Sequence, residues 1–401
     1  MAHGSSASPD GKWVVVVEMD SRSWLPCRLV PYDGSSSGDP VGPSPAQCTD
    51  TAWSTDGKWM YFTAYTGNGT HIWRQRFPNG TPEQVTFGVT QEEGIAFAPD
   101  GRSFVTSIGT SQSTVWIHDA RGDRQVSSEG FAYYPSISPD GKKVFYLVRS
   151  GGVRNWISGG LWAADLSSGQ RQRLLPDFVM LWYAISPDGQ RVVFVSVDDT
   201  GHTPLWLASL DGRSAPRRLS TMDSGMAFFG APGEVVFGNQ EQAALLIYRV
   251  KEDGSELRKM FSTPLFAQGA SPDGRWVVAA DPAAWGTMML YPAAGGSPVR
   301  VCDACSEPQG TDPIPMPMKW TPDGRVVYLK FGKSTYAIPL KPGEMLPPVP
   351  PSGFPSKEAV AALPGAVLIS DQENVYPGPN PSVYAFVKTA AQRNIYRVPV
   401  P

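Results

Sequence analysis

The residues of this chain that could carry chemistry are few and scattered. Four histidines occur in 401 residues, His3, His71, His118 and His202, with no H-E-x-x-H or other ligand spacing to bring two of them onto one metal. Gly34-Ser35-Ser36-Ser37-Gly38 spells G-x-S-x-G. A nucleophile elbow needs a strand-to-helix turn, however, and this run sits in a Ser/Gly/Pro loop. Glu92 and Glu93 are neighbours, so in an extended strand they face opposite sides and make a poor acid–base pair. G-x-x-x-x-G-K-[ST], V-A-I-K and H-R-D signatures do not occur. The expectation is a chain with no catalytic residues, no metal and no cofactor, and so not an enzyme.

Four cysteines fall as Cys27 with Cys48, and as Cys302-Asp-Ala-Cys305. A lone C-x-x-C lacks the second half of a zinc site and the βαβ context of a redox motif. A Cys27–Cys48 disulfide formed in an oxidising compartment is the leading expectation, with free thiols or metal binding as alternatives.

What must position any site is a repeat. Ser-Pro-Asp-Gly or a close variant, followed by a β-branched and aromatic run, starts at Ser8, Ser54, Ala98, Ser138, Ser186, Ser271 and Thr321, with a degenerate copy, GAPGEVVFG, at Gly230. A period in the forties without helical patterning marks a radial β-repeat. Within each copy Pro presets φ, Asp bonds back to the backbone and Gly accepts positive φ, giving a tight turn between strands. A downstream strand carries a recurring aromatic: Trp73, Trp116, Trp162, Trp206, Tyr248, Tyr336 and Tyr396. Large aromatics at one matched place suit the space between neighbouring blades. The expected fold is all-β, a closed β-propeller of four-stranded antiparallel blades. Eight blades are favoured over seven or nine, and the sequence closes with a last hairpin, VYAFV then NIYRV. Residues 1–7 are expected to be a remnant outside the repeats, and residues 8–401 a single propeller domain. One short helical turn is expected around Ser356 to Ala362, where a Ser follows Pro and precedes good helix formers.

Composition narrows the partners. A net charge of −3 argues against a broad nucleic-acid face, and no run approaches the roughly 18 apolar residues needed to cross a bilayer. The expected ligand is a protein or peptide, with no membrane contact by this segment and the chain a monomer.

The SPDG turn with its downstream Trp/Tyr strand resembles the repeat of TolB-type, WD40-like propellers, and covers essentially the whole chain. The last residues, PSVYAFVKTAAQRNIYRVPVP, resemble the C-termini of large bacterial, acidobacterial-type proteins in which a Ser/Thr protein kinase domain precedes such a propeller. The resemblance implies an extracytoplasmic sensor or scaffold, tethered through an upstream membrane helix. The alternatives are a stand-alone TolB-like periplasmic docking protein and a channel-mouth lyase or glycosidase.

In propellers the loops entering the innermost strands gather around the axis, where ligands bind by default. Those loops carry Glu92 and Glu93, Tyr133 and Tyr134, Trp182 and Tyr183, Asp223 and Gln268, and longer turns add Arg154, Asn155, Trp156 and Trp285. These residues are expected to form an aromatic and acidic mouth that takes a peptide or a sugar more readily than a phosphate.

Overall fold

The computed structural model describes residues 2–19, 24–67, 69–149, 158–241, 244–284, 286–303, 305, 316–372 and 375–400. The Ser-Pro-Asp-Gly words fold as turns closed by their own side chains. In the first copy the Gly11 amide bonds the Ser8 carbonyl at 2.9 Å and Gly11 takes φ +69°. The Ser8 hydroxyl donates to Asp10 Oδ1 at 2.6 Å and accepts the Trp13 amide at 3.0 Å, while Asp10 Oδ1 accepts the Lys12 amide at 3.1 Å. The same web recurs at Ser54, Ser138, Ser186, Ser271 and Thr321. Ala98 has no hydroxyl to contribute, and Asp100 Oδ1 there accepts the Arg102 amide, 3.0 Å away. Each turn therefore pins the start of a strand in the same way, and the strand then meanders outward.

The first sheet comprises Ala2–Ala7, Trp13–Glu18, Cys27–Pro31 and Asp39–Val41, and the second Gln47–Trp53, Trp59–Tyr65, Thr70–Arg76 and Glu83–Gln84. Ala2–Ala7, expected outside the repeats, thus forms a strand, with Ala7 paired to Val14 and Ser5 to Val16. Three further four-stranded antiparallel sheets open on Ser224–Phe229, Phe266–Ala270 and Met318–Trp320, and two more meanders, opening on Ala132–Ile137 and Met180–Ile185, are joined into one eight-stranded sheet by the pairing of Gly159 with Met180. The single short helix among the described residues, Lys357–Ala361, has Ser356 at its N-cap position.

Where the sequence suggests a final hairpin, the chain runs straight. Tyr384–Pro399 is one strand of 16 residues, and Ser103–Asp119 one of 17. Lys388 to Arg393 contain no Gly, Pro or Asn, so nothing there supplies the positive φ of a tight hairpin turn. Gly109, the one glycine in the other strand, allows close approach instead: a Cβ there would collide with the Gln392 carbonyl oxygen. The two long strands are sheet neighbours. Arg397 Nε donates to Ser103 Oγ at 2.7 Å, Arg393 Nε to Ser107 Oγ at 3.1 Å, and Thr114 Oγ1 to the Lys388 carbonyl at 3.4 Å. One end of the pair joins Gln91–Phe97; the other joins Gly122–Gln125 and Val375–Pro377. Because this last strand has an open edge, Tyr396 is 47% exposed, unlike the matched Tyr248 and Tyr336, which are buried as expected of inter-blade packing.

Contacts divide the chain into two compact units. One holds the residues up to Gln112 and those from Ala390 onward; the other runs from Ser113 to Val148 and from Ser158 to Thr389. The two long strands pass through both, which is why the break falls inside strands and not at a linker. No helix among the described residues is long and apolar enough to cross a membrane.

Candidate functional site

In the unit spanning 113–389, the first strands of successive sheets lie beside one another. Met180–Ile185 contacts Ser224–Phe229, which contacts Phe266–Ala270, which contacts Met318–Trp320. Ala132–Ile137 contacts Val375–Pro377, the Tyr183 hydroxyl donates to the Tyr134 carbonyl at 2.6 Å, and Lys319 Nζ donates to the Pro377 carbonyl at 3.1 Å. Residues from all six of these strands line one cavity of about 200 Å³.

Its wall is aromatic. Tyr134 meets Trp182 edge-on with centroids 5.6 Å apart, and Trp182 meets Phe228 in the same manner at 5.7 Å. These rings are anchored as well as packed. Trp182 is 5% exposed with Nε1 donating to the Ala227 carbonyl at 2.9 Å, and Tyr183 is 6% exposed, with burial raising its hydroxyl well above the ordinary range. Tyr134 sits at φ +48°, a region costly for a bulky side chain, beside the bulge between Tyr133 and Ser136. That strain is held by the hydrogen bond from Tyr183 and by the rings around it.

The charges of the cavity differ from the sequence expectation of an acidic mouth. Among the described residues its only charged lining residues are Lys319 and Lys330. Glu92 belongs to the other unit and is buried at 1% exposure. It accepts hydrogen bonds from Thr86 and Thr90 at 2.8 and 3.2 Å and pairs with His71 Nδ1 at 2.8 Å. Glu93, on the opposite side of that strand, is exposed and pairs with Arg393 at 3.3 Å. Asp223 is engaged by His202 Nδ1 at 3.1 Å and by the Thr203 amide at 2.9 Å. Tyr133 is half-buried against Tyr134, and Gln268 is fully buried. Arg154, Asn155, Trp156 and Trp285 lie outside the described residues. The structure therefore brings Tyr134, Trp182 and Tyr183 together at the cavity and puts Glu92 and Glu93 elsewhere.

Neither lysine stands out in the sequence by type, although aligning the repeats on their turns exposes one of them. The position two before each turn reads Ser136, Ala184, Phe228 and Gly269, and then Lys319. The same alignment explains Glu92: six before the turn stand Cys48, Ala132, Met180 and Leu265, all buried. The histidines serve local roles, His118 pairing with Asp123 at 2.6 Å and stacking on Tyr384, and His3 packing edge-on against Trp24. No group of three His, Cys, Asp or Glu among the described residues could hold a metal. Cys27 is disulfide-bonded to Cys48, with Cα atoms 5.4 Å apart, and Cys302 to Cys305.

Antiparallel meanders repeated along the chain, most with a hydroxyl–carboxylate turn between their first two strands, define a repeat protein of the β-propeller class. No family model matches the chain. A curated protein of Agrobacterium fabrum, itself uncharacterized, is 26% identical over 181 residues, 41% of this chain and 56% of that protein, so the match spans about half the relative's length. Among solved structures, TolB from Acinetobacter baumannii is similar with a TM-score of 0.43 at 14% identity, covering 73% of this chain and 76% of its own. An oligogalacturonate lyase in complex with manganese is similar with a TM-score of 0.38 at 15% identity, covering 82% of this chain and 94% of its own.

Proposed function

We propose that this chain is a non-catalytic recognition module, an extracytoplasmic propeller that docks a protein or peptide segment at the cavity of the 113–389 unit. The observation that carries the reading is that six neighbouring strands, five of them the first of their meanders, contribute to one aromatic-walled cavity, the arrangement expected where blades surround an axis. On this reading those six strands surround the axis of the 113–389 unit. Convergent aromatics with a few polar groups are what a recognition site offers. The two disulfides suit an oxidising compartment. The module acts either as the sensor part of a kinase-linked receptor or as a stand-alone docking protein; the gene sequence upstream of Ser8 separates the two.

The test is to plug the cavity without removing core. Ala270 lines it and is only partly buried, and its column in the repeat, one before the turn, already holds Trp53 and Trp320. Ala270→Trp should abolish binding of peptides selected on a proteome-derived array while the melting temperature stays close to that of the parent. Undiminished binding by the plugged variant would remove the cavity from consideration.

A further inference from the structure

The cavity pairs apolar walls with a cation, Lys319, that has no counter-charge among the described residues. Lys319 Nζ makes one hydrogen bond, to the Pro377 carbonyl, and no carboxylate among the described residues forms an ion pair with it or lines the cavity. Lys319 is partly buried, and a carbonyl is a dipole, not an anion, so the fold supplies the ammonium with no neutralising partner among the described residues. Burial alone pushes its pKa down to about 8. Four sibling repeats fill the same position with Ser, Ala, Phe or Gly, so the repeat itself does not require a charge there. An uncompensated cation at a cleft lined by Trp182, Phe228 and Trp320 is the mark of a site completed by its ligand.

We propose that the cavity binds a carboxylate carried on an aromatic or aliphatic body, with the carboxylate at Lys319 Nζ and the body against Trp182 and Phe228, as the C-terminal residue of a peptide would present them. This rests on the cavity being the recognition site. Among the described residues no arginine lines the cavity, so it lacks the forked donor favoured for phosphate. About 200 Å³ is below the usual range for whole drug-sized ligands, roughly 300 to 1,000 Å³. It suits one side chain and its terminal group, not a long segment.

Trp182 and Trp320 both line the cavity, so tryptophan fluorescence of the intact protein reads its occupancy. The titrants are N-acetyl-Ala-Ala-Phe as free acid, the same peptide as C-terminal amide, 3-phenylpropionate and inorganic phosphate. The free acid should saturate the signal, and the amide should bind at least about ten-fold more weakly, the scale of one charge-assisted hydrogen bond. Equal affinity for 3-phenylpropionate would support a free acid as the natural source, and a marked preference for the peptide would support a protein C-terminus. Lys319→Met should weaken the acid by a similar factor while raising the melting temperature, a combination that loss of fold cannot produce. Equal binding of acid and amide, binding of phosphate as tight as the acid, no response to any titrant up to about 1 mM, or full affinity in Lys319→Met would each overturn the proposal. Ala270→Trp separates the two levels. If it leaves acid binding intact, the cavity reading itself fails; if it abolishes binding while Lys319→Met does not, only the carboxylate assignment fails.

Discussion

The two units use the same turns to opposite ends. In the unit built from residues up to 112 and from 390 onward, polar groups near the first strands are consumed internally. Glu92 is held by His71, Thr86 and Thr90, and Asp50 by the amides of Thr51 and Ile95, with burial raising its carboxyl. In the unit from 113 to 389, the first strands carry aromatics that bond the carbonyls of neighbouring first strands and leave a cavity whose Lys319 has no carboxylate partner among the described residues. One repeat scaffold thus yields either a self-satisfied polar core or an unsatisfied pocket, depending on a few residues placed two to six positions before the turn. The free energy of a hydrogen-bonded buried carboxylate is already realised within the fold, whereas that of a lone ammonium awaits a ligand.

The sharpest way to break this contrast is to replace Trp182 and Tyr183 together with Ala. The sequence alone marks them as exposed anchors whose loss would abolish binding and spare the fold. Their burial and hydrogen bonds instead predict a loss of several kcal/mol, on the scale of about 3–5 for each large aromatic removed, with two carbonyls left unpaired. Thermal melting and hydrogen exchange should show loss of the cooperative transition in the 113–389 unit. A stable double variant that merely fails to bind would return these rings to the role the sequence suggests.

Each unit also carries one disulfide, and the two should differ. Cys27 and Cys48 are 21 residues apart and Cys302 and Cys305 only 3. On chain-entropy grounds the longer closure contributes about 3 kcal/mol and the shorter one less. Melting of the paired Cys→Ser variants checks this; a larger drop for Cys302→Ser with Cys305→Ser would place the dominant constraint in the cavity-bearing unit.

The smallest effects should be those the two units share. Asp140→Ala removes a carboxylate from one turn and should cost about 1 kcal/mol with peptide binding unchanged. Asp10 and Asp56 in one unit, and Asp140 and Asp323 in the other, have depressed carboxyl pKa values, chiefly because a Ser or Thr hydroxyl donates to each. Their folded-state values lie below the unfolded ones, so this stabilisation is present above about pH 4 and is lost as pH falls through the depressed values. Acid melting curves should therefore weaken both units together. A transition confined to one unit would show that the turns are not equivalent.

Much of the molecule was readable from residue order because it depends on local chemistry. Ser, Asp and Gly at fixed offsets can close only one kind of turn, and the β-branched runs after them can only pair as strands, so the blade repeat, the short helix at Lys357 and the buried third-strand aromatics such as Tyr248 follow from neighbours in sequence. Tertiary structure alone decided what depends on distant partners. Gly109 meets Gln392, which lets two long strands run side by side where a final hairpin was expected; Glu92 finds His71 and is buried; and Lys319 reaches Pro377 but no carboxylate among the described residues. Side chains of identical type point to a partner or into a cavity according to which blade stands opposite. That is fixed by which strands and blades come to lie side by side, over separations from 21 residues for His71 and Glu92 to far longer for Gly109 and Gln392, which no local pattern encodes.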